Sequence, residues 1–255
     1  MQVYFLGTGT SQGIPVIGSN HPVCQSTDAK DKRLRVSVWI ICDNQSFVID
    51  CGPDFRQQML TSGCKQLDAI LFTHEHADHT AGLDDIRPFF FKQKKNIPIY
   101  GHQRVLENLG NRFGYIFESE NKYPGAPSVQ TFEVLNNKNF YIGPTKIIPI
   151  EVNHGNLKVF GYRIYDFVYL TDVKSINNAE IKKLKGTKVL VVNALREEPH
   201  HSHFSLQDAL DFIHLVNPES AYLIHISHLL GFHEEVQQRL PKNVFLGYDN
   251  LKIII

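Results

Sequence analysis

A run of four apolar residues, Ala69-Ile-Leu-Phe72, is followed at once by Thr73-His74-Glu75-His76-Ala77-Asp78-His79. The apolar run has the character of a strand buried on both faces. Polar groups are costly to leave at such a strand's end unless they are satisfied there, so the fold must deliver this strand to a cleft. His74, His76, Asp78 and His79 are all metal-competent, and imidazole and carboxylate suit zinc or manganese. A strand-to-helix turn lets His74 and His76 converge on one ion while Asp78 and His79 swing toward a second.

Two ions need more than four ligands. The chain holds 13 histidines, its one compositional oddity. Three further candidates sit where predicted strands end. His154 follows the strand Lys146–Val152, Asp172 closes Leu170-Thr-Asp172, and His225 follows Ala221–Ile224. Their positions place them on a common rim.

Strand and helix patterns alternate along the whole chain. Predicted strands are Val3–Leu6, Val36–Ile41, Phe47–Asp50, Ala69–Phe72, Thr145–Ile150, Val159–Tyr165, Val168–Leu170, Val189–Val192 and Ala221–Ile224. Predicted helices are Asp54–Thr61, Gln103–Leu109, Ala179–Leu184, Leu206–Leu215 and Glu234–Leu240, the fourth opening on the capping-box-like Ser205-Leu-Gln-Asp208. The stretch from Phe113 to Ser128 has no clear period and offers itself as a lid. No linker composition divides the chain, so the expectation is one α/β domain over 1–255, with two facing sheets covered outside by helices.

With 26 basic and 26 acidic residues the net charge is zero, which disfavours a whole-surface nucleic-acid binder and leaves open a locally basic cleft. Four cysteines make no disulfide framework, and no segment approaches a membrane span. A cytoplasmic protein, with no membrane contact and compatible with a homodimer, is expected.

The H-x-H-x-D-H run of His74 to His79, with His154, Asp172 and His225 in order behind it, resembles the metallo-β-lactamase superfamily. The resemblance covers nearly the whole chain and implies a four-layer αββα sandwich with the site at the edge between its sheets. It implies that His74, His76 and His154 hold one divalent metal ion, that Asp78, His79 and His225 hold the other, and that Asp172 bridges them. Asp50, in Val-Ile-Asp50-Cys-Gly, matches the family's aspartate that orients ligands.

Within the superfamily the chain resembles the phosphodiesterase branch, especially its phosphoribosyl cyclic phosphodiesterases. The matching stretches are Gly7-Thr-Gly-Thr-Ser-Gln-Gly-Ile-Pro15, Val152-Asn-His154, Leu170-Thr-Asp172 and His225-Ile-Ser-His228. Two close ions can share a water and lower its pKa, giving a hydroxide nucleophile, while also neutralising phosphoryl charge. His203, in His200-His-Ser-His203-Phe, takes the position of the branch's catalytic histidine. It is the candidate general acid, as an imidazole titrating near 6.5. Asp78 joins it as a catalytic candidate beside its ligand role. The expected substrate is a small phosphorylated molecule, a cyclic or diester phosphate.

The same branch carries a structural zinc loop. Here its positions read Ser19, His21 and Cys24 with His228, leaving three ligands for a possible third metal. Cys42, Cys51 and Cys64 read as buried thiols. The basic runs Lys30–Arg35 and Lys92–Lys95 read as solvated faces, and Phe89–Phe91 as core. Two other functions fit the resemblance. A tRNA 3′-processing endonuclease shares the metal chemistry, but no long Gly/Pro/Lys-rich arm is present. A non-enzymatic metal-binding protein related to the pyrroloquinoline quinone biosynthesis branch shares the N-terminal loop and the His-Ile-Ser-His stretch.

Overall fold

A computed structural model of the protein describes residues 1–118, 120 and 122–255. Among them, fourteen strands form two sheets of seven. The first sheet holds β1 (Gln2–Gly7), β2 (Ser37–Cys42), β3 (Gln45–Ile49), β4 (Ala69–Leu71), β5 (Ile97–Gly101) and β6 (Val129–Glu133). The second holds β7 (Phe140–Ile142), β8 (Thr145–His154), β9 (Leu157–Ile164), β10 (Phe167–Tyr169), β11 (Val189–Asn193), β12 (Ser220–Ile224) and β13 (Val244–Leu246). The last strand, β14 (Lys252–Ile254), returns to the first sheet beside β1, giving the orders β14-β1-β2-β3-β4-β5-β6 and β13-β12-β11-β10-β9-β8-β7.

Each sheet changes character halfway across. From β14 to β3 and from β7 to β10 neighbouring strands run antiparallel; from β3 to β6 and from β10 to β13 they run parallel. Parallel neighbours need crossovers, and helices supply them. The longer ones are α1 (Phe55–Ser62), α2 (Arg87–Gln93), α3 (Gln103–Arg112), α4 (Leu206–Val216) and α5 (His233–Arg239).

The period of two along each strand sorts the side chains into layers. Val38, Ile40, Phe47, Ile49, Ala69 and Leu71 meet Ile147, Tyr162, Phe167, Tyr169 and Val191 between the sheets. Their neighbours Trp39, Val48 and Ile70 pack outward with α1 and α3, and Leu190 and Val192 pack outward with α4. The result is the αββα sandwich that the sequence implied.

Parallel strands end on the same edge of a sheet, where ligands in open α/β sheets bind. Asp50 follows β3, the His74–His79 run follows β4, Asp172 follows β10 and His225 follows β12. Asp50, Asp172 and His225 all leave their strands in the left-handed region, with φ of 64°, 59° and 54°. Non-glycine residues adopt that conformation rarely, and it turns each chain sharply at the rim.

Several elements lie outside the sequence expectation. β8 runs through His154 itself, so this ligand candidate ends the strand rather than following it. Strands β5, β6, β7, β13 and β14 and helix α2 were not predicted. β6 is an edge strand exposed along most of its length, so it shows little alternation. Helix α2 opens on Arg87-Pro88 and hides its period in three consecutive phenylalanines, of which Phe89 is buried and Phe91 exposed. The irregular stretch from Phe113 to Ser128 contains a short helix, Gly114–Phe117, and Lys122 Nζ binds the carbonyls of Ile116 and Pro127. The lid expected there falls partly on Ser119 and Asn121, outside the described residues.

Candidate metal centre

The four residues from the β4 loop meet the three from the second sheet in one cluster, buried except for the exposed His76 and the half-buried Asp78. His74, His76, His154 and Asp172 form one group whose ligand atoms all lie within 4.8 Å of one another; Asp78, His79 and His225 form a second. Asp172 stands between them. Its Oδ2 is 3.8 Å from His74 Nε2 and 3.7 Å from His154 Nε2, while its Oδ1 is 3.4 Å from both His79 Nε2 and His225 Nε2. Asp78 Oδ2 closes the second group at 3.3 Å from His79 Nε2 and 3.7 Å from His225 Nε2.

These separations fit metal ions. A tetrahedral ion with bonds of about 2.0–2.1 Å spaces its ligands roughly 3.3 Å apart. The nitrogens His79 Nε2 and His225 Nε2 are sealed from solvent and have no hydrogen-bond partner among the described residues. Buried polar atoms are normally paired, so orphans aimed into one space point to a ligand. The donor set of imidazoles and carboxylates suits zinc or manganese.

The opposite faces of His79, His74 and His154 are held in place. Asp50, fully buried, takes His79 Nδ1 at 2.6 Å and accepts from the Thr73 N–H and hydroxyl at 2.8 Å each. The Thr73 hydroxyl also lies 3.0 Å from His74 Nδ1. His154 Nδ1 donates to the Ser202 carbonyl at 2.8 Å, leaving Nε2 for the cluster. Such partners fix which ring nitrogen faces a metal. The sequence reading found Asp50 but missed Thr73 and Ser202. Thr73 adjoins the motif, whereas a backbone carbonyl leaves no sequence signal.

Gly52 is required by close approach: a Cβ there would sit 2.0 Å from the Asp78 carbonyl oxygen. The chain after Asp50 can therefore lie directly against the turn that carries Asp78.

Electrostatics set the protonation of the cluster. Burial alone would lower the pKa of His79, but the carboxylates of Asp78, Asp172 and Asp50 raise it well above the ordinary value. Burial would raise Asp172, but the charges of His225, His79 and His74 hold it well below the carboxylate range. His74 is pushed far down by burial and then by His79.

His203 packs against the cluster. Its ring is stacked on His225 at 4.7 Å and tilted against His154 at 4.5 Å between centroids. Its Nδ1 is buried without a partner among the described residues and lies 3.8 Å from Asp172 Oδ2, so it also forms a ligand-like group with Asp172 and His225. Burial, with the charge of His225, brings its pKa down to about 2. The expected titration near 6.5 is therefore corrected: these surroundings favour the neutral ring.

The other candidates are arranged differently. His21 and His228 face each other edge-on at 4.9 Å. His21 Nδ1, however, accepts from Val23 N, and Cys24 Sγ accepts from Val16 N. Their ligand atoms form no set within 4.8 Å among the described residues, which gives the third metal no support. In the glycine-rich loop, Gly9, Thr10, Gly13 and Ile14 donate their N–H groups to backbone carbonyls. Lys95 pairs with Asp68 and Arg35 with Asp54, as solvated or structural charges do. All four cysteines are free and buried.

Comparison with known proteins adds a family to this geometry. The family model described as the beta-lactamase superfamily domain matches residues 45–226. The chain belongs to the metallo-β-lactamase superfamily. It stands in the superfamily's PhnP-like branch. A crystal structure described as a new diphosphatase from the PhnP family superimposes with a TM-score of 0.93 and 37% identity, covering 100% of this chain and 97% of that one. The zinc-bound PqqB of Methylobacterium extorquens shares the superfamily fold, with a TM-score of 0.81, 14% identity and all of both chains covered. An octanoyltransferase of Porphyromonas gingivalis is 42% identical over 258 residues, covering 100% of this chain and 52% of that protein. The chain thus spans about half the length of that relative. No helix among the described residues is long and apolar enough to cross a membrane.

Proposed function

We propose that this superfamily hydrolase is a dinuclear metal-dependent phosphodiesterase. Its substrate would be a small molecule whose phosphorus carries two bridging oxygens, a cyclic or linear diester. A disubstituted diphosphate presents the same kind of phosphorus, and the diphosphatase relative supports including it. The observation that carries the reading is the division of Asp172, one carboxylate oxygen facing each ligand group, with the His203 ring packed beside both.

His74, His76 and His154 would hold one divalent ion, Asp78, His79 and His225 the other, with Asp172 shared. Such a pair, zinc or manganese, supplies charge for the phosphoryl oxygens and lowers the pKa of a water between them. The chain's own groups do the rest. Asp50 and Thr73 keep His79 and His74 turned inward, and the Ser202 carbonyl does the same for His154. His203 supplies the proton to the leaving oxygen. Its resting neutral ring offers one N–H to that oxygen, and an anionic substrate beside it favours the charged form. Asp78, whose Oδ2 lies 3.3 Å from His79 Nε2 and 3.7 Å from His225 Nε2, would supply the carboxylate of the second group.

The P. gingivalis relative's name describes acyl transfer by a chain about twice as long. An acyl group would need a carrier nucleophile, and the cysteines here are buried, with burial pushing the Cys51 thiol well up.

The test is hydrolysis of bis(p-nitrophenyl) phosphate, a panel of cyclic phosphates and disubstituted diphosphates, with zinc or manganese added after chelation. Turnover of at least one phosphorus substrate, lost on chelation, is expected. Turnover of none, with cleavage of precursor tRNA or of thioesters instead, would replace this reading.

A further inference from the structure

The loop carrying His74 to His79 and the hairpin ending at His154 belong to different sheets, yet the first ligand group needs both. At their bases the two are joined by the Phe160 N–H, which donates to the Thr73 carbonyl at 3.0 Å, and by the Tyr162 hydroxyl, which donates to the Phe72 carbonyl at 2.6 Å; nearer the tip of the loop a further side chain spans them. Arg104, on α3, donates from Nε to Glu75 Oε1 and from Nη2 to the Lys158 carbonyl, each at 2.8 Å. Glu75 stands between His74 and His76. Lys158 is the second residue of β9, paired across the ladder with Asn153, the neighbour of His154. The other carboxylate oxygen of Glu75 is sealed from solvent without a partner, and Arg104 is the sole donor to that carboxylate among the described residues. Further along α3, Arg112 Nη1 donates to Thr80 Oγ1 at 2.7 Å and to the Glu75 carbonyl at 3.3 Å, bracing the loop itself without reaching the hairpin.

We propose that Arg104 is a positioning residue that sets the spacing between the His74–His76 loop and the His154 hairpin, and so tightens the first ligand group alone. The inference rests on the metal-site reading above. A guanidinium is a rigid planar fork, so two partners held by its separate nitrogens are fixed relative to each other; a lysine ammonium holds them less well. The second ligand group has its own supports. Asp50 holds His79, and the Ile226 N–H, next to His225, donates to the Thr8 carbonyl. Loosening Arg104 therefore acts on one group and spares the other.

The experiment titrates chelator-stripped protein with Zn²⁺ against a chromophoric competitor, resolving two uptake steps per chain. Arg104→Ala should weaken one step by about 10–100-fold, the usual effect of losing a partner that orients ligands, and leave the other within twofold. Arg104→Lys should fall between. Arg239→Ala, which removes an exposed arginine paired with Glu197, should match the wild type. In His154→Ala, adding Arg104→Ala should leave the remaining step unchanged. Thermal unfolding checks that each variant is folded; if Arg104→Ala is not, Arg104→Lys and Glu75→Gln must shift the same single step. Two wild-type-like steps in Arg104→Ala, or equal weakening of both, overturn the inference while the metal reading stands. A wild type that takes up no zinc overturns both.

Discussion

Asp172 is fully buried and leaves β10 on a left-handed backbone, two features a carboxylate tolerates only with compensation. Its compensation is the ring of imidazoles facing both oxygens, which makes the cluster an electrostatic unit. Removing one ligand and removing the proton donor should then have different consequences. His76→Ala is expected to lose bound metal and activity together. His203→Ala is expected to retain two ions per chain while its rate falls roughly 10²–10⁴-fold. Metal content by mass spectrometry beside kcat separates the two outcomes. A His203 variant short of one ion would instead make His203 a ligand, as its place beside Asp172 and His225 allows. All seven ligand candidates were legible because they follow strand patterns in a fixed order. The state of His203 was not, because it depends on burial by residues distant in sequence.

At the scale of elements, helix α4 sets where His203 lies. Ser205 caps it: its hydroxyl accepts from Asp208 N at 3.2 Å and its N–H donates to Asp208 Oδ2 at 3.0 Å. Phe204 N binds the Val173 carbonyl, so the residue between His203 and the cap ties His203 to the strand end bearing Asp172. Ser205→Ala should cost about 1 kcal/mol and lower Tm by about 2–4 °C. Calorimetry reading no change would show that the capping box carries no stability. This box was legible in Ser205-Leu-Gln-Asp208. Helix α2 and strand β6 were not, since neither shows the periodicity that local pattern reading needs: one is crowded with aromatics and the other exposed at a sheet edge. The third-metal expectation finds no support among the described residues for a related reason. Proximity in sequence between His21 and Cys24 does not specify that their side chains converge, and both are taken up in local caps and turns.

Across the whole molecule the two ends of the chain are joined through a buried polar network. Arg33 Nη1 donates to Thr8 Oγ1 at 2.8 Å and its Nη2 meets His233 Nδ1 at 3.1 Å, while Asp249 accepts from Thr8 Oγ1 and Leu34 N. Burial, then the charge of Arg33, brings the His233 pKa from 6.5 down to about 4. The unfolded chain therefore takes up a proton in that window that the folded chain does not, and stability from His233 is lost as pH falls from about 6.5 to about 4. Asp249 acts oppositely. Burial raises it from 3.8 to about 6, so its contribution is present below about 4 and is lost as pH rises toward about 6. His233→Gln should remove the first effect, making Tm at pH 4.5 relative to pH 7 higher than the same difference in the wild type. Equal differences would mean that His233 titrates alike in both states. The network links β1, the β2 approach and the turn before β14, a long-range association with no local sequence signature. The sandwich itself was legible from the alternation of strands and helices and from the ligand order.

The central claim is that the meeting edge of the two sheets holds two ions. Anomalous diffraction from zinc-loaded crystals, collected on both sides of the zinc absorption edge, tests it directly. The account predicts two peaks, one among His74, His76, His154 and Asp172, the other among Asp78, His79, His225 and Asp172. Absence of both peaks at full zinc loading, or peaks lying only elsewhere, would contradict it.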